Sequence, residues 1–574
     1  MSFPARTEAD WRKAAEVALK GAGLEKFTSV TADGVKLGPI HSRAVGPRAL
    51  RGEPGPWKAL SRLDHPGADD FNAQAREDLD NGAEGLTVVF KGSGAAYGFG
   101  LARADSAGLD RAFEGVAFDT GLQFNLELAE PAQAESFAAR VERSAEPSVA
   151  NVSFGLDPLG AGAALKAQVA ALARRGFKGP FVAADARIVH DAGGTPAQEL
   201  AYALSAGVAA LRALENPGAI EFRLAADADQ FATIAKFRAM RLLWGRVEEA
   251  SGLKPAPIRL AASSAWRMMT AVEPFVNVMR AGLAAFAAGL GGADSVTLLP
   301  FSQALGLPDA FARRIARNTQ LVELREARLG FVADPAAGAG GFEAMTTGLC
   351  EKAWALFQAQ EAAGGLAAAL ERGLVQQAVA ASAASLQRDV ARAKAPLTGL
   401  STHPSLNADP IAVLPDVPAA EPAVTPGALR PLRLAEPFER LRERAKATGP
   451  RMFLAAIGPL AAHTRRVGFA RDFFEAGGVA TIAGPGAEDA GALAEGFQSS
   501  GAGLACLCGT DEAYAAQAEP FAAALKAAGA GAVYLAGRPG EHEAAWRAAG
   551  VDGFVFLGAD LVASLDEVLR RAGA

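Results

Sequence analysis

The sequence predicts an α/β protein: a (β/α)8 barrel of the TIM type, then a helical linker, then a flavodoxin-like, doubly wound domain. Eight short apolar runs alternate with helical stretches between residues 85 and 333, which is the pattern of a parallel barrel. The interval from Pro396 to Pro437 holds nine of the 32 prolines and little periodicity, which predicts an extended linker. Five further apolar runs with helices between them follow residue 450, which predicts the second parallel sheet.

The length and composition of the chain limit the size of its domains and the classes of partner that it can bind. The chain has 574 residues, of which 50% are hydrophobic, enough for one large barrel and one or two further domains. A net charge of −6 and a pI of about 5.7 argue against a nucleic-acid surface, which would need a basic patch. The first residues lack an apolar core of signal-peptide length, and no run reaches the ~18 apolar residues that span a bilayer. We therefore expect a cytoplasmic protein that binds neither nucleic acid nor membrane.

The cysteines predict no disulfide framework, because there are only three in so long a chain. Cys506 and Cys508 stand two apart in an apolar run, which predicts one face of a buried strand. A Cys-x-Cys metal site is the alternative, but no other thiol or histidine is near them in the sequence. The pattern therefore predicts no metal site.

The N-terminal segment is predicted to be a helix followed by a hairpin. Thr7 is a good N-cap with acids in the turn after it, and an apolar face follows. Two strand-like runs then flank an Asp33-Gly34 turn: Phe27–Thr31 and Val35–Ile40. One interpretation of this segment is a cap on the barrel floor.

The eight predicted barrel strands are short apolar runs, at residues 85–90, 121–126, 148–154, 181–185, 219–224, 257–262, 295–299 and 330–333. Helical stretches such as Thr195–Leu214 and Ala228–Ala250 separate most of them. The last run is preceded by an amphipathic helix around Ile315, and the Gly-rich turn at Asp334-Pro335 leads from it to a helix that carries Trp354.

Four separated motifs in that last stretch resemble the acyl-CoA-binding half of methylmalonyl-CoA mutase. They are ARNTQL at 316–321, D-P-A-x-G-x-x-x-x-E from Asp334, E-K-A-W ending at Trp354, and G-G-L at 364–366. The pattern W-x-x-x-A…L-K-G…T-x-D-G-V from Trp11 is also similar to the entry segment of this family. There it implies an arm that leaves the barrel and embraces a partner subunit.

The strand ends depart from the pattern of the catalytic members, in which chemistry lies at the carboxyl ends of the barrel strands. The family's G-Y-H-M-Q-E-A-G-A implies a Tyr-His pair beside the reacting carbonyl, and this chain has Arg187-Ile188 there. Because isoleucine donates no hydrogen bond, the polarising role is lost. R-T-H-S-Q-T-S-G-W becomes R-L-A-A-S-S-A-W, R-x-Y-A-G-F loses its tyrosine, and H-T-N becomes L-L-P; these stretches lie at 259–266, 61–66 and 298–300. These ends are interpreted as bland, and His190 as a histidine of a surface loop.

The C-terminal domain corresponds to the cobalamin domain of the family, whose loop D-x-H-x-x-G supplies the lower ligand of cobalt. This chain reads A-A-H-T-R-R, so His463 occupies the residual lower-ligand position. The aspartate that would orient it is Ala461, and the glycine that lets the corrin tail pass is Arg466. The family's later S-x-L and G-G elements are also missing, at 508–510 and 536–538. The alternative to cobalt ligation, a histidine at a loop-to-helix junction, is favoured.

The resemblance with its departures predicts the smaller, non-catalytic, structural subunit of a heterodimeric, adenosylcobalamin-dependent enzyme of this family. A homologous large subunit would bind adenosylcobalamin and acyl-CoA and interconvert methylmalonyl-CoA and succinyl-CoA. No catalytic, cofactor-binding or metal-ligating residue is expected in this chain. The predicted domains are an arm (1–56), the barrel (57–345), a helical segment with the Pro-rich linker (346–445) and an empty cobalamin-type domain (446–574). Two alternatives stay open: a self-sufficient cobalamin-dependent acyl-CoA mutase with a reworked site, and a ligand-binding regulatory pseudoenzyme.

Overall fold

A computed structural model describes residues 6–21, 23–46, 50–51, 53–160, 164–415, 417, 419 and 428–574. The remaining residues of the predicted arm and of the predicted Pro-rich linker lie outside this description. The described residues divide into two compact units, which are treated separately below. The first lies within Met1–Arg267, Val278–Ser382 and Val413–Pro431, and the second within Met268–Asn277, Ala383–Ala412 and Leu432–Ala574.

The N-terminal helix and hairpin form as predicted. Helix α1 (Glu8–Ala18) starts at a capping box in which Thr7 and Asp10 each bond the other's backbone amide. None of its residues is buried. Strands β1 (Ser29–Val30) and β2 (Lys36–Leu37) pair antiparallel across the predicted turn.

Eight parallel strands of the first unit form the predicted barrel: β3 (Lys58–Leu63), β4 (Gly85–Val89), β5 (Gln123–Glu127), β6 (Asn151–Ser153), β7 (Val182–Asp185), β8 (Ile220–Ala226), β9 (Arg259–Ser264) and β10 (Ser295–Thr297). Strands that are consecutive in the chain pair with one another except β6 and β7, and β10 returns to pair with β3. A bridge between Leu156 and Val182 completes the ring between β6 and β7. The barrel fold class is therefore confirmed.

One of the eight predicted strands is wrong. Residues 330–333 form no strand; a 3-10 turn covers Leu329–Phe331, and Phe331 is 71% exposed. The eighth strand is instead β3, which contains Lys58 and Arg62. Arg62 tolerates burial because its Nε donates to Asp64, 2.7 Å away, so charged residues sit in a strand that an apolar pattern would not select.

Helices cover the barrel and continue beyond it: α2 (Ala68–Asp80), α3 (Ser106–Ala112), α4 (Ala132–Glu142), α5 (Leu165–Arg174), α6 (Arg187–Asp191), α7 (Pro196–Leu214), α8 (Gln230–Ala250), α9 (Val276–Gly291), α10 (Ala310–Leu321), α11 (Gly340–Ala362), α12 (Leu366–Glu371) and α13 (Leu374–Ala391). The described residues between α13 and the next helix contain no helix or strand.

Charged residues of two motifs that carry the family resemblance, ARNTQL and the Asp334 turn, make buried ion pairs. Arg313 and Arg317 of α10 both pair with the buried carboxylate of Asp78 on α2. Arg238 of α8 pairs with Asp334 in the Gly-rich turn and donates to Glu343 of α11 at 2.7 Å. These bonds fasten the outer helices to one another and to the Gly-rich turn.

The second unit contains a five-stranded parallel sheet in the order β12–β11–β13–β14–β15, the flavodoxin-like order that the sequence predicts. Its strands are β11 (Arg451–Ala456), β12 (Ala480–Ala483), β13 (Leu504–Cys508), β14 (Ala532–Ala536) and β15 (Gly553–Val555), and its helices are α14 (Glu436–Thr448), α15 (Leu460–Ala476), α16 (Ala490–Ser500), α17 (Asp511–Ala527), α18 (Glu543–Ala548) and α19 (Leu561–Arg571). Cys506 and Cys508 are buried in β13, as their spacing predicts.

Candidate functional site

The mouth of the barrel, at the carboxyl ends of its strands, is the candidate site. It holds a cavity of about 280 Å³. Its lining includes charged and phenolic side chains from five strand ends and the loops after them: Tyr97, Glu127, Asp157, Asp185, Arg187 and Arg223. The strand ends are therefore not bland, and that interpretation is wrong.

Arg187 joins alternate strands across the mouth. Its guanidinium donates to both carboxylate oxygens of Glu127 on β5, at 2.9 and 2.7 Å, and to Asp185 on β7 at 2.8 Å. A further bond of 3.1 Å reaches Ser263 on β9. Burial would lower the pKa of Arg187, but Asp185 and Glu127 more than offset it, so the pKa lies well above the usual value. The guanidinium is permanently charged and is fixed at the wall of the cavity.

Arg223 of β8 forms a second layer in the same mouth. It donates to Glu221 at 2.9 Å, to Ser153 on β6 at 3.2 Å, and to the carbonyl oxygen of Leu126 at 2.9 Å. Its guanidinium also lies 3.3 Å from Glu127, the carboxylate that Arg187 holds. Two buried guanidinium groups and their carboxylates thus line the cavity at the carboxyl end of the barrel with paired charge.

Tyr97, which the sequence analysis did not single out, closes one side of the cavity. Its ring stacks on Trp266 at 4.5 Å, and its hydroxyl donates to Asp191 at 2.6 Å. Burial, followed by the charge of Asp191, raises the pKa of the Tyr97 phenol well above its ordinary value. Arg62 of β3 lies 5.4 Å over the same ring. The signal in the sequence that could have found Tyr97 is a lone aromatic residue in the Gly-rich loop after β4.

The interpretation of His190 as a surface-loop residue is wrong. His190 is only 1% exposed and lies on α6. Its Nε2 is 2.9 Å from Asp227 and its Nδ1 is 3.3 Å from Glu199. Burial would raise the pKa of Asp227, but Arg267 and His190 reverse this and the pKa falls well below the usual range. The histidine therefore lies buried between two acids from other elements, Glu199 of α7 and Asp227 directly after β8, and its Nδ1 has no hydrogen-bond partner among the described residues.

In the second unit, His463 lies in the first turn of α15 and is buried. Its Nδ1 lies 3.1 Å from the carbonyl oxygen of Gly458, and a carbonyl only accepts, so Nδ1 donates in this bond. The ring packs on Gly486, where a Cβ would lie 2.9 Å from the ring carbon Cε1. His463 thereby ties the loop after β11 to the loop after β12.

Arg466 and Tyr514 occupy the carboxyl ends of β13 and β14, where the resemblance implies the corrin-tail elements. The guanidinium of Arg466 donates to the carbonyl oxygen of Ala536 and, at 2.7 Å, to Asp511, and it lies 5.7 Å from the centre of the Tyr514 ring. The Tyr514 hydroxyl lies 2.9 Å from the carbonyl oxygen of Ala536 and accepts from the amide of Gly509. Since these side chains fill the space between the two strand ends, the residues present do not fit a cobalamin tail.

Over the described ranges, no group of three or more histidine, cysteine, aspartate or glutamate side chains is arranged to hold a metal ion. Over the same ranges, no helix has the length and apolar character that crossing a membrane requires.

A closed (β/α)8 barrel with a charge-filled mouth, followed in the chain by a 2-1-3-4-5 parallel sheet, defines a class of two-domain α/β proteins. The family model described as methylmalonyl-CoA mutase matches residues 180–421. A methylmalonyl-CoA mutase small subunit from Streptomyces virginiae is 39% identical, over 100% of this chain and 97% of its own length. Its namesake from Propionibacterium freudenreichii subsp. shermanii is 33% identical over 100% and 96%. The chain belongs to the methylmalonyl-CoA mutase family, among its small subunits.

A more distant relative is named without the subunit designation. The methylmalonyl-CoA mutase of Cereibacter sphaeroides is 28% identical over 70% of this chain and 65% of its own length. The similarity to small subunits is thus both higher and more complete.

Proposed function

We propose that this chain is the non-catalytic, structural subunit of a heterodimeric, adenosylcobalamin-dependent methylmalonyl-CoA mutase. The observation that carries the proposal is Arg187, which lies where the family's Tyr-His pair begins and is committed to Glu127 and Asp185. Its neighbour Ile188 lines the same cavity and offers no hydrogen bond to a thioester oxygen. A substrate group that took the place of the Arg187 side chain would break several charge-assisted bonds at once.

The second support is the filled corrin region. The guanidinium of Arg466 lies over the Tyr514 ring and pairs with Asp511. A cobalamin tail would therefore have to displace a paired guanidinium. His463 retains the family's residue type but bonds the backbone carbonyl of Gly458. In the proposal, adenosylcobalamin and acyl-CoA are therefore bound by a homologous large subunit, and the heterodimer is cytoplasmic.

The remaining role of the chain is mechanical. It supplies a folded barrel and a folded sheet domain against which the large subunit packs, and it stabilises that subunit by mass action. The segments predicted from the sequence (1–56, 57–345, 346–445 and 446–574) then act as arm, barrel, linker and empty cobalamin-type domain.

The test uses the purified chain alone and together with the homologous chain that carries intact Y-H and D-x-H-x-x-G motifs. We expect no corrin absorption and no conversion of methylmalonyl-CoA by the chain alone after incubation with adenosylcobalamin. Both should appear when the two chains are combined. Corrin binding and turnover by the isolated chain would contradict the proposal.

His463→Ala is predicted to leave the corrin content and turnover of the combined enzyme unchanged, because His463 bonds only its own loop. The matched control is alanine at the histidine of the partner's intact motif, which should abolish corrin ligation. If His463→Ala instead removes activity, the chain is a cobalamin enzyme in its own right. Corrin content is measured by absorbance, and folding of each variant by circular dichroism.

A further inference from the structure

The outer face of α9 is apolar along its length. Met279, Leu283, Phe286 and Leu290 recur at helical spacing, with Met279 65% exposed and Leu283 42% exposed. The only ionisable residue of this helix, Arg280, is buried and is attracted to Asp227. An outer barrel helix without a polar face is unusual in a protein that works alone, because exposed apolar stripes of this kind mark interaction sites.

Further apolar groups extend the stripe at its C-terminal end. Leu290 and Phe342 pack against the same small cluster, and the ring of Phe342 stacks on Phe231 at 5.3 Å. Phe231, in the first turn of α8, is 55% exposed. The stripe of α9 alone is ~17 Å long at 1.5 Å per residue. The surface defined by Met279, Leu283, Phe286, Leu290 and Phe231 is called the α9 face below.

A partly buried carboxyl group, that of Glu323, borders the α9 face. Glu323 follows α10, and its Oε1 would lie 3.9 Å from a Cβ on Gly282 of α9. Its Oε2 is buried and has no hydrogen-bond partner among the described residues. Burial alone raises the pKa of Glu323 to about 8. A carboxyl group in this state needs a donor or a cation that the described residues do not supply.

The cations nearest in the chain are directed elsewhere. Arg314 lies over the ring of Phe311, Arg328 lies over Phe331, and the guanidinium of Arg325 lies against the turn at Gly82. From α9, only Arg280 is charged, and it is attracted to Asp227 within the barrel. A second copy of this chain, docked face to face, would therefore bring no exposed cation of its own α9 to Glu323.

We propose that the α9 face is the docking surface for the homologous large subunit, which presents an apolar helix face and a lysine or arginine opposite Glu323. This inference rests on the proposed function, because it assigns the surface through which the heterodimer forms. Charge complementarity indicates which partner covers the α9 face, because a purely apolar partner would bury Glu323 without a counterion. The apolar stripe supplies the binding energy and Glu323 supplies orientation.

The test compares Met279→Glu and Leu283→Glu with Val149→Glu, an exposed apolar position before β6 that is 52% exposed. Each variant is co-expressed with the large subunit, and the dissociation constant is measured by calorimetry. We expect at least a tenfold loss of affinity for the two α9 variants and no change for the control. Met279→Glu keeps the test valid if Leu283→Glu misfolds, and thermal denaturation reports the folding of each.

The outcomes separate the two proposals. Wild-type affinity in both folded α9 variants overturns the docking surface and leaves the heterodimer intact. If the wild-type chains do not associate at all, the proposed function fails. If the chain alone forms a concentration-dependent dimer that Leu283→Glu abolishes, a second copy is the occupant and the docking proposal is wrong.

Glu323→Gln tests the charge separately. Removing the carboxyl group leaves the partner's cation without its counterion and should weaken association at least tenfold, whereas unchanged affinity would overturn the assignment of a cation to the partner. In the free chain the folded pKa lies above the unfolded value, so folding takes up a proton and stability falls as pH rises from about 4.5 to 8. We therefore expect Glu323→Gln to raise Tm by several degrees at pH 8 and to leave it unchanged at pH 4.5. If the Tm of the wild type and that of Glu323→Gln depend on pH in the same way, Glu323 has no raised pKa in the folded chain, and the inference loses its basis.

Discussion

Replacing Asp78 with asparagine is expected to lower the free energy of unfolding of the barrel unit by about 3–5 kcal/mol, the cost of breaking a buried ion pair from one side. Asp78 is 1% exposed and accepts from both Arg313 and Arg317, which are themselves buried. Asparagine keeps the shape but removes the charge, so two guanidinium groups remain in the interior without a counterion.

The measurement is urea denaturation followed by circular dichroism, with the midpoint assigned to the barrel unit. Asp69→Asn is the matched control, because Asp69 lies on the same helix and pairs with Arg111 at 2.7 Å while both side chains are largely exposed. Exposed pairs of this kind contribute about 0–1 kcal/mol. A loss below about 1 kcal/mol for Asp78→Asn would show that α2 and α10 are held by apolar packing alone.

The comparison of predicted and observed strands shows which parts of the fold can be inferred from local sequence patterns. Seven barrel strands and five sheet strands were predictable because buried parallel strands are nearly continuous apolar runs. The run at 330–333 has the same composition, yet Val332 is 50% exposed and Phe331 is held by Arg328. A run of four apolar residues is too short for its periodicity to distinguish a strand from other structure. The run at 330–333 is excluded from the barrel only because β3 already closes the ring.

The charge network of the mouth could not be predicted from local sequence. Arg187 and Glu127 are 60 positions apart, and their pairing depends on β5 and β7 being alternate strands of one closed barrel. The departures from the family pattern correctly indicated that the Tyr-His pair was gone. They did not indicate that a buried arginine had replaced it with paired charge, because a substitution does not reveal its partners.

The burial of His190 could not be predicted for the same reason: its partners come from elements that are distant in the sequence. Its neighbours in the chain suggested a loop, whereas Glu199 is placed beside it by α7 and Asp227 by the end of β8. A histidine that is surrounded by two acids from other elements becomes a buried structural residue. Such an environment exists only once the barrel has closed.

Arg187→Met is expected to lower the free energy of unfolding of the barrel unit by about 3–5 kcal/mol at pH 7.5, while turnover per assembled heterodimer is unchanged. Methionine retains much of the volume but leaves the buried Glu127 and the half-buried Asp185 without their shared cation. In the wild type, burial would raise the pKa of Asp185, but Arg187 reverses this and the pKa lies below the usual value. That contribution to stability is therefore present above the unfolded pKa and is lost as pH falls through the folded one.

In the Arg187→Met chain the sign reverses for Asp185, which loses the cation that lowers its pKa, so burial raises its folded pKa and favours protonation. The difference in Tm between wild type and variant should accordingly be largest at pH 7.5 and shrink towards pH 4.5. Arg143→Met is the control, because Arg143 pairs with Asp110 on the surface at 2.7 Å and should cost less than about 1 kcal/mol at either pH. A variant that kept its stability but lost heterodimer turnover would place Arg187 in the chemistry and contradict the structural role proposed for this subunit.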